Sequence, residues 1–431
     1  MCKKAVSFIL SLCFIISLNA TTFASEGIPD TVIKIDLADG AVTADIVLDE
    51  LNEINNSFAD DTSKIVSITE LLFRCKLDQI VNKNDPDLDL SVFWDPNSKN
   101  TDDLNYFSRD ILAKKRTLIA LQTDYYDASS NLSINNSIIG SENAKLNVYE
   151  WMEYRDTSVD SDIPSGVGID YAIYFIKTDG CWLITDIVFD DEATDMLKNP
   201  EISVDELVEL RNYQPAVNEG EVLAGAENSV NALSGYYTSL DVDRTTNYAI
   251  NYSRNDEYST TYYNSNFPSY SSDCQNFASQ CIWYGLGGTD DYAHIHNKYW
   301  PMKSSGSYPW YANESSHSSS WTVCDYFADL ISNVSSSREG PHGTIYSGIS
   351  KARSGDIIQF DEEGDGEYEH SFVVVAVTGT YGSRTSSNIV VCAHTRNRNN
   401  YNLSQCYVSS YTYRTIHITY DWRQSDPNPT Q

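Results

Sequence analysis

The run SSDCQNFASQC, residues 271–281, sets a cysteine where a polar segment turns into a helix. Phe277, Ala278, Cys281 and Ile282 fall on one side of a 3.6-residue period. Ser272 or Asp273 is placed to cap the first turn, with Gln275 or Asn276 placed to reach back. Cys274 therefore sits in the first helical turn, at the positive end of the macrodipole and among free backbone N–H groups. Both features lower a thiol's pKa and favour the thiolate. The same N–H groups can hold an oxyanion as it forms. A cysteine so placed can attack a carbonyl if a base reaches it. The competing reading is a small buried structural thiol.

The histidines supply the base. All seven lie at residue 294 or later. His370 opens the apolar strand HSFVVVAV (370–377), preceded by a Gly-Asp turn into GDIIQF (355–360) and the acidic loop DEEGDGEYE. A strand-opening histidine beside a helix with a thiol at its start is the arrangement of a Cys–His hydrolase. His394 ends the next strand, IVVCAHT (389–395), before the polar run RNRNNYN. Adjacent antiparallel strands bring this region near His370, so His394 is the expected third group, orienting the imidazole. Asn397, Asn399 and Asn400 are alternatives. Tyr270, Asp273 and Gln280 are candidates to assist the oxyanion or substrate. His294, His296, His317, His342 and His417 receive no role; the 294/296 pair lacks partners for a metal site. Asp361, Glu363, Asp365 and Glu367 lack EF-hand spacing and read as a solvated acidic loop. No metal or organic cofactor is expected.

Upstream, the patterning changes. Residues 46–82 carry apolar residues at helical spacing (Ile65, Ile68, Leu71, Leu72, Cys75), as do residues 101–122. Residues 145–156 alternate as a strand, and 168–192 read as a hairpin around Thr178-Asp179-Gly180. Helices followed by a curled antiparallel sheet suggest an α+β domain, broadly cystatin-like or NTF2-like, over residues 25–200. It has no histidine and no catalytic constellation. Residues 201–240 read as a helical connector. A Tyr-, Ser-, Asn- and Trp-rich domain follows at 241–421, and then a disordered tail at 422–431.

The net charge is −32, which disfavours nucleic acid and anionic membranes as partners. It is uneven: residues 240–431 hold 12 Lys+Arg and 20 Asp+Glu, and the remainder holds 17 and 41. Residues 1–24 read as a signal peptide. Lys3 and Lys4 precede the apolar run Val6–Leu18, with Thr22 and Ala24 at the cleavage spacing. The expectation is therefore an exported chain, possessing no membrane span after cleavage. Of nine cysteines, seven remain beyond that segment, and an odd number leaves at least one thiol free. Cys75–Cys181 and Cys392–Cys406 are open as bridges, and Cys274 is the thiol chosen to stay reduced.

Most of 244–420 resembles the family called the putative amidase domain, a papain-like branch related to NlpC/P60 and CHAP cell-wall peptidases. The resemblance is carried by Arg244, Tyr248-Ala249 and Tyr252, then by Asp273, Cys274, Asn276, Phe277, Ser279 and Gln280. Gly287-Gly288, Trp300, Trp321, Gly355 to Gln359, His370-Ser371 and His394-Thr395 follow in order. Gln275 stands where the family usually has Thr. The resemblance implies a papain-like α+β fold with Cys274 as nucleophile and His370 as base. By analogy with NlpC/P60 it adds a polar third residue, for which His394 is the candidate. The expected reaction is hydrolysis of an amide in a peptide or peptidoglycan-like substrate. A non-catalytic binding module of the same fold, or an acyl transferase, are the alternatives.

Overall fold

The computed structural model describes residues 31–37, 42–57, 60–159, 162–191, 194–212, 222–225, 236–253, 263–288, 308–312, 316–333 and 339–424. The expected signal segment, His294, His296, Trp300 and nearly all of the tail lie outside the described residues.

The N-terminal half begins with β1 (Thr31–Asp36), α1 (Ala44–Ser57), α2 (Asp61–Val81) and α3 (Thr101–Leu121). The helical pattern at 46–82 is two helices rather than one. Asp60 ends the run by capping α2, its Oδ1 accepting from Ser63 N at 2.8 Å. Ile65, Ile68, Leu71, Leu72 and Cys75 then form the buried stripe of α2. Four long strands follow: β2 (Tyr125–Ile139), β3 (Asn143–Asp156), β4 (Ser165–Thr178) and β5 (Cys181–Phe189). The β4–β5 hairpin turns where the sequence places it, with Asp179 at φ 51° and Gly180 at φ 85°. Two successive left-handed residues make the turn whose twist matches the flanking strands, and Asp-Gly suits it. β1 and β2, which the sequence reading leaves unassigned, pair from Thr31↔Ile134 to Asp36↔Ser129.

The short helices α4 (Thr194–Lys198) and α5 (Val204–Asn212) lead into β6 (Val222–Gly225) and β7 (Tyr236–Ser239). The connector is thus helical at α5, whereas β6 and β7 join the sheet. The C-terminal half contains α6 (Val242–Tyr252), α7 (Cys274–Gly285), α8 (Ser319–Thr322) and α9 (Cys324–Ser332). Its strands are β8 (Gly340–Ser347), β9 (Ile357–Asp361), β10 (His370–Val377), β11 (Ile389–Ala393), β12 (Arg398–Asn402) and β13 (Thr412–Arg423). None of the described helices is long and apolar enough to cross a membrane.

The described strands form one antiparallel sheet in the order β1-β2-β3-β4-β12-β11-β10-β9-β13-β8-β6, with β5 on β4 and β7 on β13. The two halves join at β4–β12, through Arg398↔Val167 and Asn399↔Gly166. Arg398, fully buried, forms an ion pair with Asp191 across that seam. Asp191 also receives Lys114 at 2.8 Å. Gly168 lets the chains approach: a Cβ there would lie 1.9 Å from Tyr149 Oη. One apolar cluster runs through both halves, joining Leu72, Phe107 and Ile173 to Phe360, Phe372, Tyr401 and Tyr413. A second packs α6, α7 and α9 against the opposite face, on Ile357, Val373, Val375 and Cys392. These two layers fix α7 over β10 and hence Cys274 against His370.

Candidate active site

Cys274 is the first residue of α7, and His370 is the first residue of β10. Asp273 prepares the helix start with its side chain rather than with a capping bond to the helix backbone. Its Oδ1 accepts from Tyr270 N and from Asn276 Nδ2, both at 2.8 Å. Asn276 Nδ2 also donates to Pro268 O at 2.8 Å, and Trp321 Nε1 donates to Asn276 Oδ1 at 2.8 Å. The polar run before the cysteine is thereby tied to the helix it enters.

Cys274 has only 3% of its surface exposed, yet it lines an open cleft with Tyr270, His317, Cys324, Tyr368 and Glu369. Its thiol lies 3.6 Å from Glu369 O. The thiol is held well below the ordinary cysteine pKa. A hydrogen bond with Cys324 contributes most, burial opposes it, and the charge and hydrogen bond of His370 add to the lowering, as does Ser371 N. Cys324 is pushed the other way, chiefly by holding that same hydrogen bond and also by its burial. Cys324 is therefore the thiol that keeps the proton. Cys75 shows the opposite outcome, its thiol being pushed up to about 12, chiefly by burial. Cys392 is likewise pushed up to about 11, and Cys281 is raised by burial beside it. All seven described cysteines are free, so neither Cys75–Cys181 nor Cys392–Cys406 is bridged.

Residues 239–419 match the family model described as a putative amidase domain. The match covers the thiol helix, the strand opened by His370 and the first two-thirds of β13, but less than half of the chain. The family's description points to amide hydrolysis in general, a hydrolase reaction, for the matched segment. A protein of Bacillus subtilis (strain 168), "Uncharacterized protein YhbB", is 33% identical over 123 residues, 28% of this chain and 35% of that protein. The chain thus spans about a third of the length of the curated relative it matches. No solved structure matches.

Within the amidase segment, the expected third residue is not where the strand order placed it. His394 does not hydrogen-bond His370. Its Nδ1 meets Asp273 Oδ2 at 2.6 Å and its Nε2 meets Tyr252 O at 2.6 Å. Its ring is stacked between Tyr263 and Phe277, at 3.6 and 3.9 Å between centroids. Both ring nitrogens face oxygens, and His394 and Asp273 make a buried polar pair under the start of α7. Asn397 is also taken up elsewhere, bridging Tyr263 Oη and Tyr149 Oη at 2.9 Å each. Asn399 Nδ2 donates to Ile250 O and Asn400 Nδ2 to Ile163 O. His370 itself is 4% exposed between Phe360 and Phe372, and its buried Nε2 has no hydrogen-bond partner among the described residues.

The other candidates divide. Tyr270 does line the cleft, its hydroxyl 2.8 Å from His317 Nδ1, so a histidine given no role in the sequence stands at the rim. Asp273 and Gln280 lie inside the fold instead; Gln280 Oε1 accepts from Tyr248 Oη at 2.9 Å. The residue in the atypical position, Gln275, is buried, and its Oε1 accepts from Ser371 Oγ and Gln359 Nε2, both at 2.7 Å. That bridge locks α7 to β9 and β10. The Gly-Asp turn has its own partner: Asp356 Oδ1 meets His417 Nδ1 at 2.6 Å. Burial raises the Asp356 pKa, against which His417 pulls. In the acidic loop, Asp361 spends both oxygens on Gly364 N and Gly366 N, at 2.6 and 2.9 Å. Among the described residues Asp361, Asp365 and Glu369 alone gather within 4.8 Å as a cation would require, the latter two exposed.

Cys324 is the residue the sequence reading missed. It stands without a role among the seven cysteines beyond residue 24, yet it opens α9 as Cys274 opens α7. The available signal was its place just before the amphipathic run DYFADLIS.

Proposed function

We propose that the C-terminal half is a cysteine-dependent amidohydrolase of papain-like design, related to the NlpC/P60 and CHAP hydrolases. The observation that carries this reading is the acidified Cys274 thiol beside His370, at the start of a helix and open to a cleft. In this mechanism the Cys274 thiolate attacks the amide carbonyl carbon. The first-turn N–H groups of α7 hold the oxyanion. His370 gives its proton to the departing amine, and the resulting thioester is hydrolysed by water that His370 deprotonates. Tyr270 and His317 contact the substrate at the rim. His394 acts through Asp273, as a positioning residue for the helix start.

Peptide of a cell-wall type is the substrate class we favour, in an exported protein. The N-terminal half is an α+β module of cystatin-like or NTF2-like order. A second groove supports its share in substrate binding. It meets the cleft at Tyr270 and Ser271 and runs onto Tyr149, Gly168 and Asp170. The test is a screen of wall-derived peptides, read by mass spectrometry, with Cys274→Ala alongside. The reading expects new amine and carboxylate ends and a fall of at least about a thousandfold in the variant. Equal cleavage by Cys274→Ala would contradict it.

A further inference from the structure

We propose that Cys274 and Cys324 form a reversible disulfide on oxidation, which makes the floor of the cleft a redox modification site. The proposal rests on the reading of Cys274 as a reactive thiolate, and adds to it a partner and a fate.

The two cysteines are the first residues of two helices that converge on one cleft, and both line it. Ser371 ties them together: its hydroxyl is 3.2 Å from Cys324 Sγ, while its backbone N–H serves the Cys274 thiol. Each thiol is the chief influence on the other's acidity, in opposite directions. A disulfide needs an S–S separation of about 2.05 Å, and two thiols that share one cleft floor beside Ser371 are placed to approach it. Their exposures are 3% and 4%. A small oxidant can reach them through the cleft, whereas bulky thiols are hindered. Cys281 and Cys392 are fully buried, away from the cleft lining.

Hydrogen peroxide is the oxidant we name. The Cys274 thiolate attacks one peroxide oxygen, the O–O bond breaks, and hydroxide leaves, giving a sulfenic acid at Cys274. Cys324 then attacks that sulfur. The S–S bond forms, the S–O bond breaks, and the Cys324 proton goes to the departing hydroxide as water. Two thiols and one peroxide become a disulfide and two waters. While Cys274 is a thiolate, its charge helps keep Cys324 protonated. Once Cys274 is a neutral sulfenic acid that restraint is gone, so the order of events is built into the pair.

The test treats the reduced full chain with a few equivalents of hydrogen peroxide, blocks remaining thiols with iodoacetamide, and maps peptides by mass spectrometry. We expect a Cys274–Cys324 cross-linked peptide, loss of two titratable thiols, and full recovery of both with dithiothreitol. In Cys324→Ser, Cys274 should run on to sulfinic and sulfonic acids, with at least about tenfold less recovery by dithiothreitol. The wild-type map stands even if that variant fails to fold. Over-oxidised Cys274 with Cys324 still free in the native chain would overturn the disulfide and leave the nucleophile reading intact. A cross-link in a chain inactive on amides would support the disulfide alone. A Cys274 that peroxide does not touch would overturn both.

Discussion

A thiol's acidity follows from its neighbours, and Cys274 and Cys324 show this in opposite directions. Both are buried, which disfavours a thiolate. Cys274 nevertheless ends up acidic because Cys324 donates to it and His370 stands close, while Cys324 bears the corresponding rise. Replacing the donor has a readable consequence. In Cys324→Ala the pKa of Cys274 should rise, and its alkylation at neutral pH should slow several-fold while the plateau at high pH stays. An unchanged pH profile would mean that Cys324 contributes nothing to the thiolate. The nucleophile and base were legible because each opens an element with a clear pattern. Cys324 was not, because its role depends on where a second helix start lands in space. His394 was misread for a related reason: strand adjacency gives proximity in order, but Asp273 and the Tyr252 carbonyl had already claimed its ring.

At the level of elements, the start of α7 is held by side chains. Asp273, His394, Asn276 and Trp321 form a connected polar set beneath the thiol, in contact with the aromatic rings of Tyr263 and Phe277. Removing one member of a buried hydrogen-bonded pair leaves the other unsatisfied, at a cost of about 1–3 kcal/mol. His394→Ala should therefore lower the unfolding free energy by about that amount, measured by urea denaturation, with the loss shown as a lower midpoint at constant slope. A loss well under about 1 kcal/mol would show that the pair does not hold the helix. The strands β9, β10 and β11 and the β4–β5 hairpin were readable from apolar runs and turn chemistry. β6 and β7 were not: four-residue strands carry too few residues to show a period, and they are strands because β8 and β13 offer them an edge.

For the molecule as a whole, a composition shift near residue 240 suggested two halves, and the sheet runs through both. β12 pairs with β4, Arg398 meets Asp191, and one apolar cluster takes residues from each side. Such contacts are long-range in sequence, and no local pattern announces them. A chain holding only residues 236–424 would expose the β12 edge and uncover Tyr401 and part of that cluster. An uncovered strand edge and apolar face favour association. That fragment is predicted to aggregate or to melt well below the full chain, by size-exclusion chromatography and circular dichroism. A monomeric fragment melting cooperatively at the full-chain temperature would contradict the shared core.

The central claim is that Cys274 is a thiolate paired with His370, and the rate of Cys274 alkylation against pH tests it most directly. The rate should rise with pH through a pKa well below the free value of about 8.5. Because the His370 charge lowers that pKa, His370→Ala should move the rise to higher pH. A Cys274 that alkylates only as an ordinary thiol, or whose profile ignores His370, would contradict the account.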